Sequence, residues 1–160
     1  MPHKRGLEKV IKEHLPYEQK NLRGIEIGCF EGELSAHLLT EFQGLYLVTI
    51  DPSPQWDDVI ERNKAHFSRL WILNQPSDVA HKILLPEYDF VFIDGDHSYE
   101  QCKKDIINYE RLVIPGGIVS GHNYHKANDS AHPGVHQSVD EIYPDVKLEH
   151  DFIWYVQKPK

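Results

Sequence analysis

Residues 23–32 read RGIEIGCFEG, an apolar run that ends in Glu26-Ile-Gly28-Cys-Phe-Glu-Gly32. A short apolar stretch closed by glycines reads as a buried strand that runs straight into a turn. Glycine lets the backbone pass close to a ligand and bend tightly into the next element. That element is helical, because Leu34, Leu38, Leu39 and Phe42 recur on one face.

The same strand-to-helix alternation continues along the chain. Residues 46–51 (YLVTID) form a second strand, and Ile60, Asn63 and Phe67 then stand at helical spacing. Residues 70–73 (LWIL) make a short third strand, and Ser77 is placed to cap a helix carrying Val79 and Ile83. Residues 88–93 (YDFVFI), apolar on both faces, stop abruptly at Asp94-Gly95-Asp96. Ser98 and Gln101 make a capping-box pair that opens a helix with Tyr99, Cys102, Ile106 and Tyr109 on one side. A fifth strand is expected at residues 118–120, after a Pro115-Gly116-Gly117 turn. Val135, Val139 and Ile142 mark a last helix, and residues 146–148 and 152–156 two closing strands. Upstream, Leu7, Val10, Ile11 and Leu15 mark an N-terminal helix.

Strands alternating with helices imply an α/β fold with a doubly wound, mostly parallel sheet of seven strands. The last two strands have no helix between them, so they are expected to pair as an antiparallel hairpin. No linker or repeat divides the chain, which reads as one domain over residues 1–160, with 1–22 as an N-terminal extension and 23–158 as the core. The net charge of −8 argues against broad contact with a nucleic acid backbone. No apolar run approaches the ~20 residues of a membrane span, and the start shows no secretory pattern. Cys29 and Cys102 are too few for a disulfide framework, so a reducing cytoplasm is expected.

In such sheets ligands sit beyond the carboxyl ends of the strands. The residues to weigh are therefore 28–32, Asp51, Ser77 and Asp78, 94–97 and 121–124. A dinucleotide site would show G-x-G-x-x-G for a pyrophosphate. Here the pattern is G-x-x-x-G, with Glu26 and Glu31 beside it, which suits a cationic or amine-bearing ligand better. Asp51, 23 positions after Gly28, is placed to accept hydrogen bonds from ribose hydroxyls.

E-x-G-x-x-x-G, the Asp ending strand two, FIDGDHSY ending strand four and P-G-G-x-x-x-x-H-N-Y around strand five resemble class I S-adenosylmethionine (SAM)-dependent methyltransferases. The likeness, closest to small O-methyltransferases of natural-product and sugar hydroxyls, extends through Pro133-Gly134-Val135 and Val139-Asp140-Glu141. It implies a Rossmann-like methyltransferase fold, with Glu26, Gly28, Cys29, Phe30 and Gly32 lining the methionine side of SAM. It also implies Asp51 on the ribose, Ser77 and Asp78 near the adenine, and Asp94 beside the cofactor.

Methyl transfer to a hydroxyl requires that its proton be taken by a base or loosened by a metal ion. Asp94, Asp96, His97, His122 and Asn123 come after strands four and five and should converge. Catalysis is expected from Asp94, His97 and His122, imidazole being the side chain suited to proton exchange near neutrality. The resemblance also implies a divalent-metal site at Asp94, His122 and Asn123, where a histidine favours Mn²⁺ or Zn²⁺ over Mg²⁺. His125, His132 and His136 read as a solvated surface rather than ligands. Cys29 reads as an apolar filler, Trp56 as a core or rim residue with a place over the adenine as the alternative, and Tyr124 with loop 126–132 as a lid. The expected partner is a small-molecule acceptor, its site completed by loops, the N-terminal helix or a second copy of the chain. Two other readings are a SAM-binding module without catalysis and a metal-dependent hydrolase built on Asp94, Asp96, His97 and His122. A nicotinamide dehydrogenase is disfavoured by the missing middle glycine.

Overall fold

The computed structural model describes residues 3–125 and 131–160. The apolar runs become β1 (Leu22–Ile27), β2 (Leu45–Ile50), β3 (Leu70–Leu73), β4 (Tyr88–Ile93), β5 (Val113–Gly121), β6 (Lys147–Glu149) and β7 (Ile153–Gln157). The helices are α1 (His3–His14), α2 (Glu33–Glu41), α3 (Trp56–Asn63), α4 (Ser77–Ala80), α5 (Tyr99–Glu110) and α6 (Pro133–Ile142).

One sheet has the order β3-β2-β1-β4-β5-β7-β6. Strands β1 to β5 are parallel, and β7 runs antiparallel to both β5 and β6. The chain builds outward from β1 to β3 and then resumes at β4 on the other side of β1. Order therefore reverses between β1 and β4, which opens a crevice at their carboxyl ends. The hairpin turn between β6 and β7 places Asp151 and Phe152 at φ 63° and 60°. Two successive left-handed residues match the twist of a tight hairpin.

Burial fixes the layers. Phe90 and Phe92 of β4 join Leu7 and Ile11 of α1 and Leu38 and Leu39 of α2 in one core. Val91 and Ile93, the alternate residues, join Ile106 and Tyr109 of α5, Val139 of α6 and Trp154 in the other. A fully buried side chain of this kind contributes about 1.5–3 kcal/mol. An exposed pair such as Lys64–Glu61, at 2.6 Å, contributes about 0.2–1 kcal/mol. The two apolar layers, not the surface charges, hold the sheet.

Several local expectations are corrected. Pro115-Gly116-Gly117 lies inside β5 rather than before it, where the pairing of β4 and β5 shifts register between Tyr88 and Phe90. Gly116 and Gly117 there bond to the segment after β7. Ser77 is the first residue of a one-turn helix whose N-cap is Pro76, and its side chain caps nothing. Val79 and Ile83 are exposed. On α3 the buried residues are Val59 and Asn63, while Ile60 faces outward and Phe67, past the end of the helix, is exposed. The Asn63 amide sets that rotation by donating to the carbonyls of Gly32 (3.1 Å) and Val59 (3.0 Å). Of the capping box only half forms: Ser98 Oγ accepts from the Gln101 backbone at 3.4 Å, and the Gln101 side chain points elsewhere.

Candidate active site

The carboxyl ends of β1 and β4 meet at Gly28 and Asp94. Asp94 N donates to the Ile27 carbonyl at 2.8 Å, and Gly28 N to that of Ile50 at 2.9 Å. Gly28 has φ +92°, and a Cβ there would lie 2.1 Å from the Asp94 carbonyl oxygen. Only glycine lets the two strand ends come this close. Two recesses open beside this contact and share Gly28, Phe30 and Asp94.

The larger recess, about 480 Å³, is lined by Asp51, Pro76, Ser77, Asp78, Asp96, Gln101 and Asp105 among others. Asp51 Oδ2 accepts from Phe30 N at 2.9 Å and Oδ1 from Ser53 N at 2.7 Å. These bonds fix the carboxylate at the rim and leave each oxygen a further lone pair. Phe30 sits at φ 47° and is 53% exposed, so its ring stands between the recesses rather than in the core. Trp56 is exposed and lines neither recess, so the alternative that it covers the ligand is not realised; Phe30 holds the exposed aromatic position.

The smaller recess, about 120 Å³, is lined by Glu26, Cys29, Glu31, Glu33 and Leu34 with the shared residues. Glu26 is buried at its floor and its Oε2 accepts from the Ser35 hydroxyl. Burial pushes its carboxyl up to about 7, against the Ser35 bond, and the charges of Asp94 and Asp51 add to the rise. Burial likewise pushes the Cys29 thiol up to about 12, which leaves it an inert apolar wall. Gly32 at φ 71° is the N-cap of α2. The recess is small and acidic, with Glu26, Glu31, Glu33 and Asp94 on its walls.

Asp94, His97, His122 and Asn123 do converge. Asp94 Oδ1 lies 3.2 Å from His97 Nε2 and 3.4 Å from His122 Nδ1. Asn123, at φ 60°, brings its Nδ2 to 2.8 Å from the same His97 nitrogen. That nitrogen cannot accept from Asn123 and donate to Asp94 at once. In one tautomer Nε2 accepts from the Asn123 amide, and in the other it donates to Asp94. Asp96 instead accepts from Ser98 N at 2.7 Å and serves the turn into α5.

The histidines expected on a solvated surface pack against rings. His132 lies 4.3 Å from His97 between centroids, and His125 stacks on Phe152 of the hairpin at 3.8 Å. His136 pairs with Asp140 at 3.1 Å. Tyr124 is not part of a lid: it is buried and its hydroxyl donates to Asp140 at 2.6 Å. Residues 126–130 of the expected lid lie outside the described residues. Among the described residues no group of three or more His, Cys, Asp or Glu is placed to hold a metal ion. Asp94, His122 and Asn123 supply only two such side chains and an amide turned to His97.

Gln101 and Asp105 of α5 line the larger recess without any sequence motif marking them. Their i, i+4 spacing was the available signal, hidden by the fit of Gln101 to a helix cap.

A family model described as a methyltransferase domain matches residues 25–124. The chain belongs to that family. It is a class I methyltransferase, and S-adenosylmethionine is its cofactor. An uncharacterized protein of Acanthamoeba polyphaga mimivirus is 28% identical over 142 residues, covering 82% of this chain and 63% of its own length. The methyltransferase thus spans less than two thirds of that relative. A candidate O-methyltransferase from Klebsiella pneumoniae has the same fold, with TM-score 0.74, 17% identity and coverage of 96% and 78% of the two chains. So does a Podospora anserina methyltransferase bound to S-adenosylhomocysteine, with TM-score 0.67, 20% identity and coverage of 90% and 74%. The buried Glu26 carboxylate, the Gly28 crossing and the Asp51 rim provide acceptors for an amine and a ribose, so the residues present fit the cofactor. No helix among the described residues is long and apolar enough to cross a membrane.

Proposed function

We propose that this methyltransferase acts on a hydroxyl oxygen of a small molecule or sugar. The observation that carries the reading is one Asp94 oxygen set 3.2 Å from His97 and 3.4 Å from His122 beside the cofactor recesses. A hydroxyl is a weak nucleophile until its proton leaves, and a carboxylate-backed imidazole is suited to accept it. S-adenosylmethionine, when bound, supplies a methyl group on an already activated sulfonium.

The chain's residues do the rest. Glu26, Gly28, Cys29, Phe30 and Gly32 hold the methionine portion, Asp51 the ribose, and Ser77 with Asp78 the adenine. His97 or His122 takes the acceptor's proton onto a ring nitrogen. Asp94 then stabilises the imidazolium, because a neighbouring opposite charge favours the charged form. Asp94 and Asn123 both face His97 Nε2, so on that ring the acceptor's proton goes to Nδ1, in the tautomer whose Nε2–H donates to Asp94. Holding the acceptor in line turns an intermolecular step into a positioned one. No step is routed through a metal ion. The acidic balance of the chain and the carboxylates around the cleft favour a small neutral or cationic acceptor over nucleic acid. A second copy of the chain is one source for the outer wall of the acceptor site, and the buried free cysteines suit the cytoplasm.

The test is methyl transfer from labelled S-adenosylmethionine to a panel of phenols, catechols, sugars and primary amines. A methyl ether is the expected product. His97→Asn with His122→Asn should lower kcat by about 10²–10⁴ while S-adenosylhomocysteine still binds. An N-methylated product would overturn the hydroxyl assignment. Cofactor binding without turnover on any acceptor would favour a binding module instead.

A further inference from the structure

The two edges of the sheet are built differently. One edge strand, β6, is three residues long and carries Lys147 and Glu149, with Glu149 paired to Lys9 of α1 at 2.7 Å. The other, β3, reads Leu70-Trp71-Ile72-Leu73, with neither charge nor proline. An open edge offers its backbone groups to a further strand, and charge or proline is a common guard against that. β3 lacks both, and its Trp71 is 57% exposed. Apolar surface gathers around it. Twelve large apolar side chains are exposed among the described residues, and eight of them fall within residues 46–85, from β2 to the segment after α4. Such a concentration marks a contact surface rather than scatter.

The backbone of β3 pairs on one side only. The carbonyls of Arg69 and Leu73 accept from Leu47 N at 2.9 Å and from Asp51 N at 3.2 Å. Successive residues of a strand turn their backbone groups to opposite sides, so Leu70 and Ile72 direct theirs away from β2. In two copies related by a two-fold axis, Leu70 of each can exchange hydrogen bonds with Ile72 of the other. Trp71 then lies on the axis, opposite its own copy in a non-hydrogen-bonded pair, the kind in which side chains come closest.

The edge alone would accept any extended strand, and α3 narrows the choice. Its Val59 and Asn63 turn toward α2, where the Asn63 amide donates to the Gly32 carbonyl at 3.1 Å. On the opposite side of the helix Asp57, Ile60 and Lys64 stand exposed at i, i+3 and i+7, a stripe that runs acidic, apolar, basic. Antiparallel strands carry their helices antiparallel. The acidic end of one stripe therefore faces the basic end of the other, and Ile60 meets Ile60. The pattern is complementary to its own reverse, as a two-fold interface requires. We propose that β3 is a dimer edge, at which a second copy of this chain pairs antiparallel through Leu70 and Ile72. Trp71 packs on Trp71 at the axis, and the two α3 helices lie side by side.

Sedimentation equilibrium on the full chain tests this. At micromolar concentration the protein should have the mass of a dimer of the 18.6 kDa chain. Trp71→Glu sets two like charges on the axis and should raise the dissociation constant about 30-fold or more, as for a central hot-spot tryptophan. Asp57→Lys should raise it about 3- to 10-fold. Adding Lys64→Asp, which reverses the stripe as a whole, should bring it back. All three side chains are exposed, and circular dichroism checks that each variant is folded. A monomer at every concentration overturns the proposal and leaves the edge to a strand of another protein. A dimer that Trp71→Glu leaves intact lies on a different surface and overturns it too. So does an unchanged dissociation constant in Asp57→Lys, or a weakening there that Lys64→Asp fails to reverse. The charge reversal decides by itself if the Trp71 variant does not fold.

Discussion

Gly134, the second residue of α6, is packed against the peptide of His97. A Cβ there would lie 2.6 Å from the His97 carbonyl oxygen and 2.3 Å from the Tyr99 amide nitrogen. The helix after β5 thus sets the position of the loop after β4, and with it the imidazole that faces Asp94. Gly134→Ala must push that loop outward, since backbone offers no flexible end to yield. We expect a loss of about 1–3 kcal/mol in stability, typical of overpacking, and a fall in kcat. S-adenosylhomocysteine affinity should change little, because Gly28 and Asp51 lie on other strands. Kinetics and calorimetry on the folded variant check this; an unchanged kcat counts against it.

Asp51 joins two functions, tying Phe30 and Ser53 through their amides and presenting acceptors at the rim of the cleft. Asp51→Ala should weaken S-adenosylhomocysteine binding by about 10- to 100-fold, the range for a lost hydrogen bond to a charged group. NAD serves as the control ligand, with no binding expected to either protein. Unaltered affinity in Asp51→Ala would remove the ribose assignment.

Glu26 makes the ligand-free protein sensitive to pH in a defined direction. Its carboxyl is raised by burial from 4.5 to about 7. The folded state therefore holds the proton more tightly than the unfolded chain. That contribution to stability is complete below the unfolded value and is lost as pH climbs through 7. The loss amounts to about 3 kcal/mol for a shift of this size. Glu26→Gln removes the effect, so its melting temperature should exceed that of the parent by several degrees at pH 8 and converge with it near pH 4. Parallel melting profiles for the two proteins across this range would show that Glu26 is not the source.

Tyr124 is predicted to act through stability. Its hydroxyl donates to Asp140 of α6 at 2.6 Å, and burial with that bond pushes it up to about 12. Tyr124→Phe should cost about 1–2 kcal/mol, read as a lower urea midpoint. A midpoint that does not move would mean that the bond is not formed in solution.

Much of the cleft was legible in the chain because many of its lining residues come directly after strands. The bounds of β3 and β4, the Gly28 turn and the Asp51 rim come from apolar runs with abrupt polar ends, a local signal. Errors arose where a side chain had two uses. Gln101 satisfied the pattern of a helix cap, yet its Nε2 faces Ser77, Asp78 and Asp105, while the Ser98 backbone N–H that it would have served donates to Asp96 instead. Ile60 and Val59 are adjacent on α3, and periodicity alone could not say which would turn inward. The Asn63 bonds to Gly32 and Val59 decided it.

By itself the sequence determined the alternation of strands and helices and the set of carboxylates and imidazoles delivered to one end of the sheet, whereas the point where strand order reverses came with the assembled sheet. Those features come from local hydrophobic pattern and from the rule that strand ends carry the site. Only tertiary structure decided that His132 lies against His97, that His125 stacks on Phe152 of the hairpin, and that Asp105 has an oxygen without a donor. Such contacts join elements far apart in the chain. Their distances depend on how two apolar layers settle on the sheet, which no single segment encodes.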